Sequence, residues 1–386
     1  MEFNLNEDQR AFQDAARRFA EKELAPYASE WDAQKIFPRE AIAKAGELGF
    51  CGVYTREDAG GLGLSRLDAA IIFEELAAAC PSTTAYITIH NMVSWMIDEF
   101  GNDEIRKQLC PDLSSGVLLG SYCLTEPGSG SDAAALKTTA VKKDNKYIIN
   151  GTKAFISGAG ESDILIVMAR TGDSSPKGIS AFIVPANSEG ISFGEKEKKL
   201  GWNTQPTRFV FFDHVEVDEK YLLGELGQGF KIALKGLDGG RINIGTCSVG
   251  AAQGAISQAQ KYMHERLQFG KSLAQFQSLQ FKIADMATEL VAARQMVHLA
   301  AFKLDSNDIN ATTYCAMAKR LATDMCFNIC NEAIQILGGY GCTQDFPVER
   351  LMRDARVHQV VEGTNEIMKL VISRKILEEG AMIQIR

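Results

Sequence analysis

No two cysteines in this chain stand at CxxC spacing, and no histidines cluster. The nine cysteines are an odd number scattered from Cys51 to Cys342. The five histidines, His90, His214, His264, His298 and His358, are isolated from one another. No structural or catalytic metal is therefore expected. Cys326 and Cys330 lie four apart, on one face of an expected helix, which suits two small core residues better than a disulfide. Positive charge is also scarce, with 41 Lys and Arg against 49 Asp and Glu and a net charge of −8. That balance excludes a broad nucleic-acid surface but leaves room for a local basic pocket. Long apolar runs are missing too. Stretches such as Ile164–Ala169 fall far short of a membrane span. The first residues, Met1 to Glu7, carry no apolar signal region and no Arg-rich transit pattern. The expectation is a cytoplasmic protein, or a mitochondrial-matrix protein whose transit peptide has been removed.

What is present is enough apolar content for a large core: 46% of 386 residues. Residues 1 to about 115 read as helical. Phe12, Ala15, Ala16, Phe19 and Ala20 recur at helical spacing, with Arg17, Arg18, Glu21 and Lys22 on the other face. Further helices are expected over 39–48, 65–79 and about 83–100, with Ser65 as a cap. One more is capped at Asn102 or Asp103 and ends before Pro111. Gly60, Gly61 and Gly63 imitate a phosphate loop, but no strand precedes them, so they read as a helix-to-helix connection. From Gly116 to about Val217 the apolar residues alternate or come in short runs separated by turn signals. That reads as an all-β unit of antiparallel hairpins. After Gly227 the helical period returns, with helices expected over 230–267, 273–304, 310–337 and 364–379. The expected domains are 1–115, 116–225 and 226–386.

Several stretches have the composition of ligand-binding turns. Tyr122, Cys123, Leu124 and Thr125 end a strand and lead into Gly128, Gly130 and Ser131. The string matches G-x-G-x-x-A, but the residues after it read as a hairpin and not as the helix a Rossmann turn requires. Its free backbone N–H groups suit an anion or a ligand edge, and a plain β-turn is the alternative. Phe155, Ile156 and Ser157 put an aromatic and a hydroxyl at a strand tip. Asp238, Gly239, Gly240 and Arg241 lie inside a long expected helix. Glycines there cost roughly 1 kcal/mol each relative to Ala, so something approaches the backbone closely. Asp238 and Arg241, at i, i+3, either pair with each other or hold a ligand. Arg266, with Phe276 and Gln277, marks a helix break carrying a cation. Gln335, Ile336, Leu337, Gly338 and Gly339 end another helix in glycines.

Glu362 is the most pointed of these residues. Val360 and Val361 precede it, Gly363 follows, and Thr364 is a reasonable N-cap for the final helix. A carboxylate on such a turn is expected to be partly desolvated, which raises its pKa and strengthens it as a base. An ordinary exposed loop glutamate is the alternative.

The ordered set, Tyr122–Ser131, Arg266-x-x-Phe269-Gly270, Gln335–Gly341 and Glu362-Gly-Thr364, resembles the acyl-CoA dehydrogenase family over nearly the whole chain. The strings 155–163, 201–208, 239–244 and 90–97 are similar to the branch acting on isobutyryl-CoA in valine breakdown. The resemblance implies an α+β multidomain fold: an N-terminal helical domain, a central β-barrel domain and a C-terminal four-helix bundle. It implies a homotetramer holding FAD. Tyr122, Cys123, Leu124, Thr125, Gly130, Ser131, Phe155, Ile156 and Ser157 would then line the flavin ring and the thioester, with Ser131 touching substrate. Arg266, Phe276, Gln277, Gln335, Ile336, Leu337, Gly338 and Gly339 would hold pyrophosphate and adenosine, partly across a subunit boundary. Thr364, Asn365 and Glu366 would also touch the cofactor. Asp238, Gly239, Gly240, Arg241 and Arg374 would contact the CoA portion.

By the same resemblance, Glu362 removes the Cα proton of a short branched acyl-CoA while Cβ passes a hydride to flavin N5. Electron-transferring flavoprotein then accepts the electrons. The family usually has Trp where this chain has Phe155. Some branches carry their base where this chain has Gly240, which cannot serve. Butyryl-CoA and 2-methylbutyryl-CoA are the competing substrates, and a non-catalytic flavin-binding assembly protein is the competing class.

Overall fold

Local capping signals start most of the long N-terminal helices. The structure, a computed structural model, describes residues 4–379 and Ile385. Six helices come first: α1 (Glu7–Phe19), α2 (Ala28–Gln34), α3 (Arg39–Glu47), α4 (Arg66–Ala79), α5 (Pro81–Phe100) and α6 (Asp103–Ser114). Asn6 and Ser65 form capping boxes at the starts of α1 and α4, and Asn102 caps α6. The last of these helices does not end before Pro111 but runs through it. The missing proline N–H frees the carbonyl of exposed Lys107, which can turn to water.

The middle of the chain forms β1 (Gly120–Cys123), β2 (Thr139–Lys143), β3 (Lys146–Ser157), β4 (Ile164–Arg170), β5 (Ile179–Pro185), β6 (Ile191–Phe193), β7 (Thr207–Asp218) and β8 (Leu222–Leu223). Their order is β6-β7-β3-β2-β4-β5-β8, with β1 attached to β4. The sheet is not built of antiparallel hairpins alone. β1 runs parallel to β4, from Gly120 opposite Ile164 to Cys123 opposite Val167, and β2 meets β4 parallel at Thr139. The reason lies in residues 124–138, a wide loop in place of a hairpin turn, which sends β1 across to β4.

Alternation along β4 serves two cores. Leu165, Val167 and Ala169 face a core within the sheet, which Ile191, Phe193 and Leu222 of the edge strands also cover. The sheet therefore curls, barrel-like, around its own core. Ile164, Ile166 and Met168 face the other way, onto α5 and α6 residues such as Val93, Ile97 and Leu109.

The remainder is helical: α7 (Gly229–Glu265), α8 (Gln277–Asp305), α9 (Ala311–Leu337), α10 (Val348–His358) and α11 (Asn365–Glu379), with a small ladder of β9 (Leu267–Gln268) and β10 (Lys271–Ser272) between α7 and α8. α7, α8 and α9 pack on one another, and α10 and α11 lie on α9. Alanines and cysteines fill this core, including Cys326 and Cys330, both buried free thiols. α7 also packs on α4, where a Cβ on Gly250 or Gly254 would overlap the Glu74 or Ala78 carbonyl. Long apolar stripes and small contact residues thus lock α7 against both helical layers.

Candidate functional site

The turn between α10 and α11 carries Glu362. Its backbone is left-handed, with φ at 55°, and Gly363 follows at 91°. A non-glycine residue pays roughly 1–2 kcal/mol for this conformation, so the surroundings must enforce it. The Thr364 hydroxyl accepts from Ile367 N at 3.3 Å and so caps α11, as the sequence suggested. Beneath the turn lies Lys319 of α9, fully buried. Its Nζ donates to Gln359 O at 3.1 Å, Gly363 O at 2.8 Å and Asn365 Oδ1 at 2.9 Å. Three acceptors use all three protons of an ammonium. Burial pushes the Lys319 pKa down to about 7, while the Glu362 carboxylate pulls it upward.

Glu362 is only partly covered as a residue, but its Oε2 is sealed from solvent and has no hydrogen-bond partner. Val360 does not seal it, for that side chain is exposed. The cover comes from α7, where a Cβ on Gly240 would overlap Glu362 Oε2. Burial lifts the carboxyl pKa from 4.5 to about 7, against the opposing pull of Arg241 and Lys319. The glycine in mid-helix is thus explained by a close approach, as its position implied, and the approaching group is the carboxylate.

Arg241 donates from Nη1 to Asp238 Oδ1 at 2.7 Å, and Asp238 Oδ2 accepts from Thr312 at 2.7 Å. Of the two roles open to this pair, the structure shows mutual pairing. The Arg241 Nε stays buried without a partner. The Tyr122 hydroxyl is likewise buried and unpartnered, and its pKa is raised well above the ordinary value by burial first and Glu362 second. These three orphaned buried polar atoms, Glu362 Oε2, Arg241 Nε and the Tyr122 hydroxyl, mark a site shaped for a polar ligand.

The loop after β1 reaches the same region through an anchor that the sequence did not reveal. Lys153 of β3 is fully buried and donates to Leu124 O at 3.0 Å and Glu126 Oε1 at 2.8 Å. Glu126 in turn accepts from Lys137 N at 2.6 Å and Thr138 N at 2.9 Å. Ala154 N donates to Thr125 O at 2.8 Å. The β3–β7 ladder slips between Lys153 and Ile156, and this bulge turns Phe155 outward, with φ at 57° and 63% exposure. Gly130 and Ser131 are exposed, Ser157 is half-buried, and Cys123, Leu124 and Ile156 point into the cores. Around Gly128 and Gly130 an added Cβ would meet nothing within 4 Å, so the loop is open to a ligand.

A second open region lies elsewhere. Arg266, at the end of α7, borders a cavity of about 460 Å³ with Tyr262, Leu273, Gly338, Gly339 and Tyr340. A Cβ on Gly338 or Gly339 would meet nothing within 4 Å. Ile336 and Leu337 also line the cavity from the core side, and Gln335 is exposed just before them. Phe276 and the exposed Gln277 begin α8, with Phe269 against Phe276 at 6.2 Å. Arg266 and Gly240 are 26 positions apart on one helix, roughly 39 Å at 1.5 Å per residue. The expected site residues therefore fall into two groups. Arg374 and Glu366 are exposed on α11. Asn365 is buried, its side chain held by Lys319, Thr323 and Asp324. The lysines beneath both turns were invisible in the sequence because a buried lysine has no local signature.

Comparison with known proteins completes the picture. Residues 6–117, 121–215 and 227–377 match the N-terminal, middle and C-terminal domains of acyl-CoA dehydrogenase. The chain is 54% identical over 375 residues to mitochondrial isobutyryl-CoA dehydrogenase of Bos taurus, covering 97% of this chain and 90% of that one. It is 52% identical over 376 residues to the same-named protein of Dictyostelium discoideum, with the same coverage. Butyryl-CoA dehydrogenase from Megasphaera elsdenii superposes with a TM-score of 0.95 at 39% identity, covering 98% of this chain and all of that one. The chain belongs to the acyl-CoA dehydrogenase family and is a FAD-dependent oxidoreductase acting on acyl-CoA.

Proposed function

We propose that this enzyme dehydrogenates isobutyryl-CoA to methacrylyl-CoA in valine catabolism, with Glu362 as the base that takes the Cα proton. The observation that carries the reading is the sealed, partnerless Oε2 of Glu362 above Gly240. Its pKa of about 7 leaves a good fraction ionised near neutral pH and makes the carboxylate a stronger base than a solvated one. The Tyr122 and Arg241 groups beside it keep the carboxylate in a dry, polar surround. Exclusion of water sustains that basicity during the reaction.

FAD supplies the two-electron acceptor when bound. The open loop at Tyr122–Ser131 and the outward Phe155 and Ser157 suit its flat ring and the thioester. Arg266, Phe276, Gln277 and Gln335–Gly339 suit its pyrophosphate and adenosine. Gly240 and Arg266 stand roughly 39 Å apart along α7, which suits the second group to a neighbouring subunit's cofactor. A homotetramer fits that need. The Thr364 and Glu366 backbone edge of α11 would complete the ring's surroundings, and Asp238–Arg241 with Arg374 would face CoA. Electron-transferring flavoprotein is the proposed acceptor, in a bacterial cytoplasm or a mitochondrial matrix.

The purified protein is expected to be yellow and to bleach anaerobically with isobutyryl-CoA, faster than with butyryl-CoA or 2-methylbutyryl-CoA. Glu362→Gln is expected to keep its flavin and lose bleaching by several orders of magnitude. Normal bleaching in that variant would overturn the base assignment. Bound flavin that no acyl-CoA bleaches would point to a binding or assembly role.

A further inference from the structure

We propose that Arg66 is a specificity-determining residue that walls the acyl site beside Glu362 and holds the enzyme to short chains. The proposal rests on the acyl-CoA reading above.

One side of α7 is notched by Gly236, Gly239 and Gly240, and each notch is filled from a different element. Met92 and Met96 of α5 lie opposite Gly236, and Glu362 lies opposite Gly240. Opposite Gly239 lies the guanidinium of Arg66, whose Nη1 is 2.5 Å from where a Cβ would be. Gly239 and Gly240 are adjacent, with Cα atoms about 3.8 Å apart. The base carboxylate and the Arg66 cation therefore arrive at neighbouring positions of the same helix.

Arg66 is held like a fixed wall. Its Cζ sits 3.5 Å from the Tyr54 ring centroid and 4.9 Å from that of Trp95. The Tyr54 hydroxyl accepts from Asn243 Nδ2 at 3.2 Å, one turn along α7 from Gly239. Arg66 N donates to Asp305 Oδ1 at 2.9 Å, so α8 pins its backbone from outside. The residue is buried, and its Nη1 is sealed from solvent without a hydrogen-bond partner. Two ring faces and Asp305 offset its charge. Tyr54, Arg66, Trp95 and Met96 thus form one wall running from the base between α4, α5 and α7.

This wall has a chemical consequence. Both glycine notches are occupied, one by the carboxylate and one by the guanidinium, so neither leaves room for more chain. The planar guanidinium takes away depth. A longer chain would have to push a sandwiched cation off its rings and replace them with methylenes that cannot solvate it. A leucine or methionine in the same place would yield by rotating.

The test uses Arg66→Ala and Arg66→Met holoenzymes beside the wild type. Anaerobic bleaching is followed with isobutyryl-, butyryl-, hexanoyl- and octanoyl-CoA. Binding of the unreactive thioethers S-isobutyl-CoA and S-hexyl-CoA is measured by calorimetry. Arg66→Ala is expected to raise the hexanoyl-to-isobutyryl ratio of kcat/KM by about tenfold or more, with a parallel shift in the thioether affinities. Arg66→Met is expected to shift both in the same direction by less. If Arg66→Ala loses its flavin, the Arg66→Met ratios decide. Ratios within about twofold of wild type, in a variant that retains flavin, would overturn the proposal and leave the acyl-CoA reading intact. A wild type that bleaches with none of the four substrates would remove that reading and this proposal together.

Discussion

Lys319 Nζ and the carbonyl of Gly363 are 2.8 Å apart, across the turn that holds Glu362 in a left-handed conformation. A buried cation on one helix thereby fixes the backbone of the proposed base, carried between two others. Lys319→Met keeps the length and removes three charge-assisted bonds at once. Each such bond is worth roughly 1.5–3 kcal/mol, so the turn is expected to relax out of its strained conformation. The expected outcome is a bleaching rate lowered about a hundredfold with flavin largely retained, and a lowered Tm. The apparent pKa of bleaching is also expected to move, since Lys319 opposes the rise in the Glu362 pKa. A Tm loss with unchanged rate and pH profile would reduce Lys319 to ordinary scaffolding.

The Glu362 pKa yields a prediction with a definite sign. In the free enzyme the carboxyl titrates near 7, against 4.5 for the ordinary group. Bleaching by subsaturating acyl-CoA is expected to rise with pH through about 7. Folding stability runs the opposite way. Between pH 4.5 and 7 the folded state holds a proton that the unfolded state has lost, so this group's contribution falls as pH rises. At about 1.4 kcal/mol per pKa unit, the loss is at most about 3.5 kcal/mol. Glu362→Gln is expected to remove it, so the variant's Tm should match wild type near pH 4.5 and exceed it near pH 8. Parallel Tm curves across that window would contradict the assignment.

Much of the fold was legible because it rests on local signals. The caps at Ser65, Asn102 and Thr364 and the long helical periods of α7, α8 and α9 are all readable over a few residues. The parallel pairing of β1 with β4 was not, because a long loop leaves strand partners undetermined. At the site, Gly240 announced a close approach, but only the packed structure names Glu362 as the visitor. Nothing in the sequence marks Lys153 or Lys319, since nothing local distinguishes a buried lysine from a solvated one.

The Lys153–Glu126 pair should behave as an all-or-none anchor. Both partners are buried, and the glutamate also gathers two backbone N–H groups. Breaking such a pair from one side costs about 3–5 kcal/mol, because the other charge is left buried and alone. Lys153→Met is therefore expected to release the loop at Tyr122–Ser131 and to lose flavin on gel filtration. Glu126→Gln keeps one acceptor oxygen and is expected to be milder. Flavin content equal to wild type in Lys153→Met would show that the loop is held by other means.

The exposed apolar residues of the C-terminal unit argue for a multimer, and one of them offers a decisive position. Phe269 is 93% exposed at the tip of the β9–β10 turn, where it and Gly270 both have positive φ. Phe281 and Phe302 on α8 are exposed by 60% and 58%. Exposed aromatics in number on one helical unit are costly unless another surface covers them. Light scattering of the wild type is expected to give four chains. Phe269→Asp alters nothing inside the fold beyond its edge contact with Phe276. Placed in an apolar contact, the new carboxylate would be desolvated without a partner, a penalty that shifts association by orders of magnitude. A smaller particle with weakened flavin retention is therefore expected, because Arg266 and Gly338 lie in the same unit. A variant that stays tetrameric and yellow would place this turn outside the subunit contact and return the Arg266 cavity to a role within one chain.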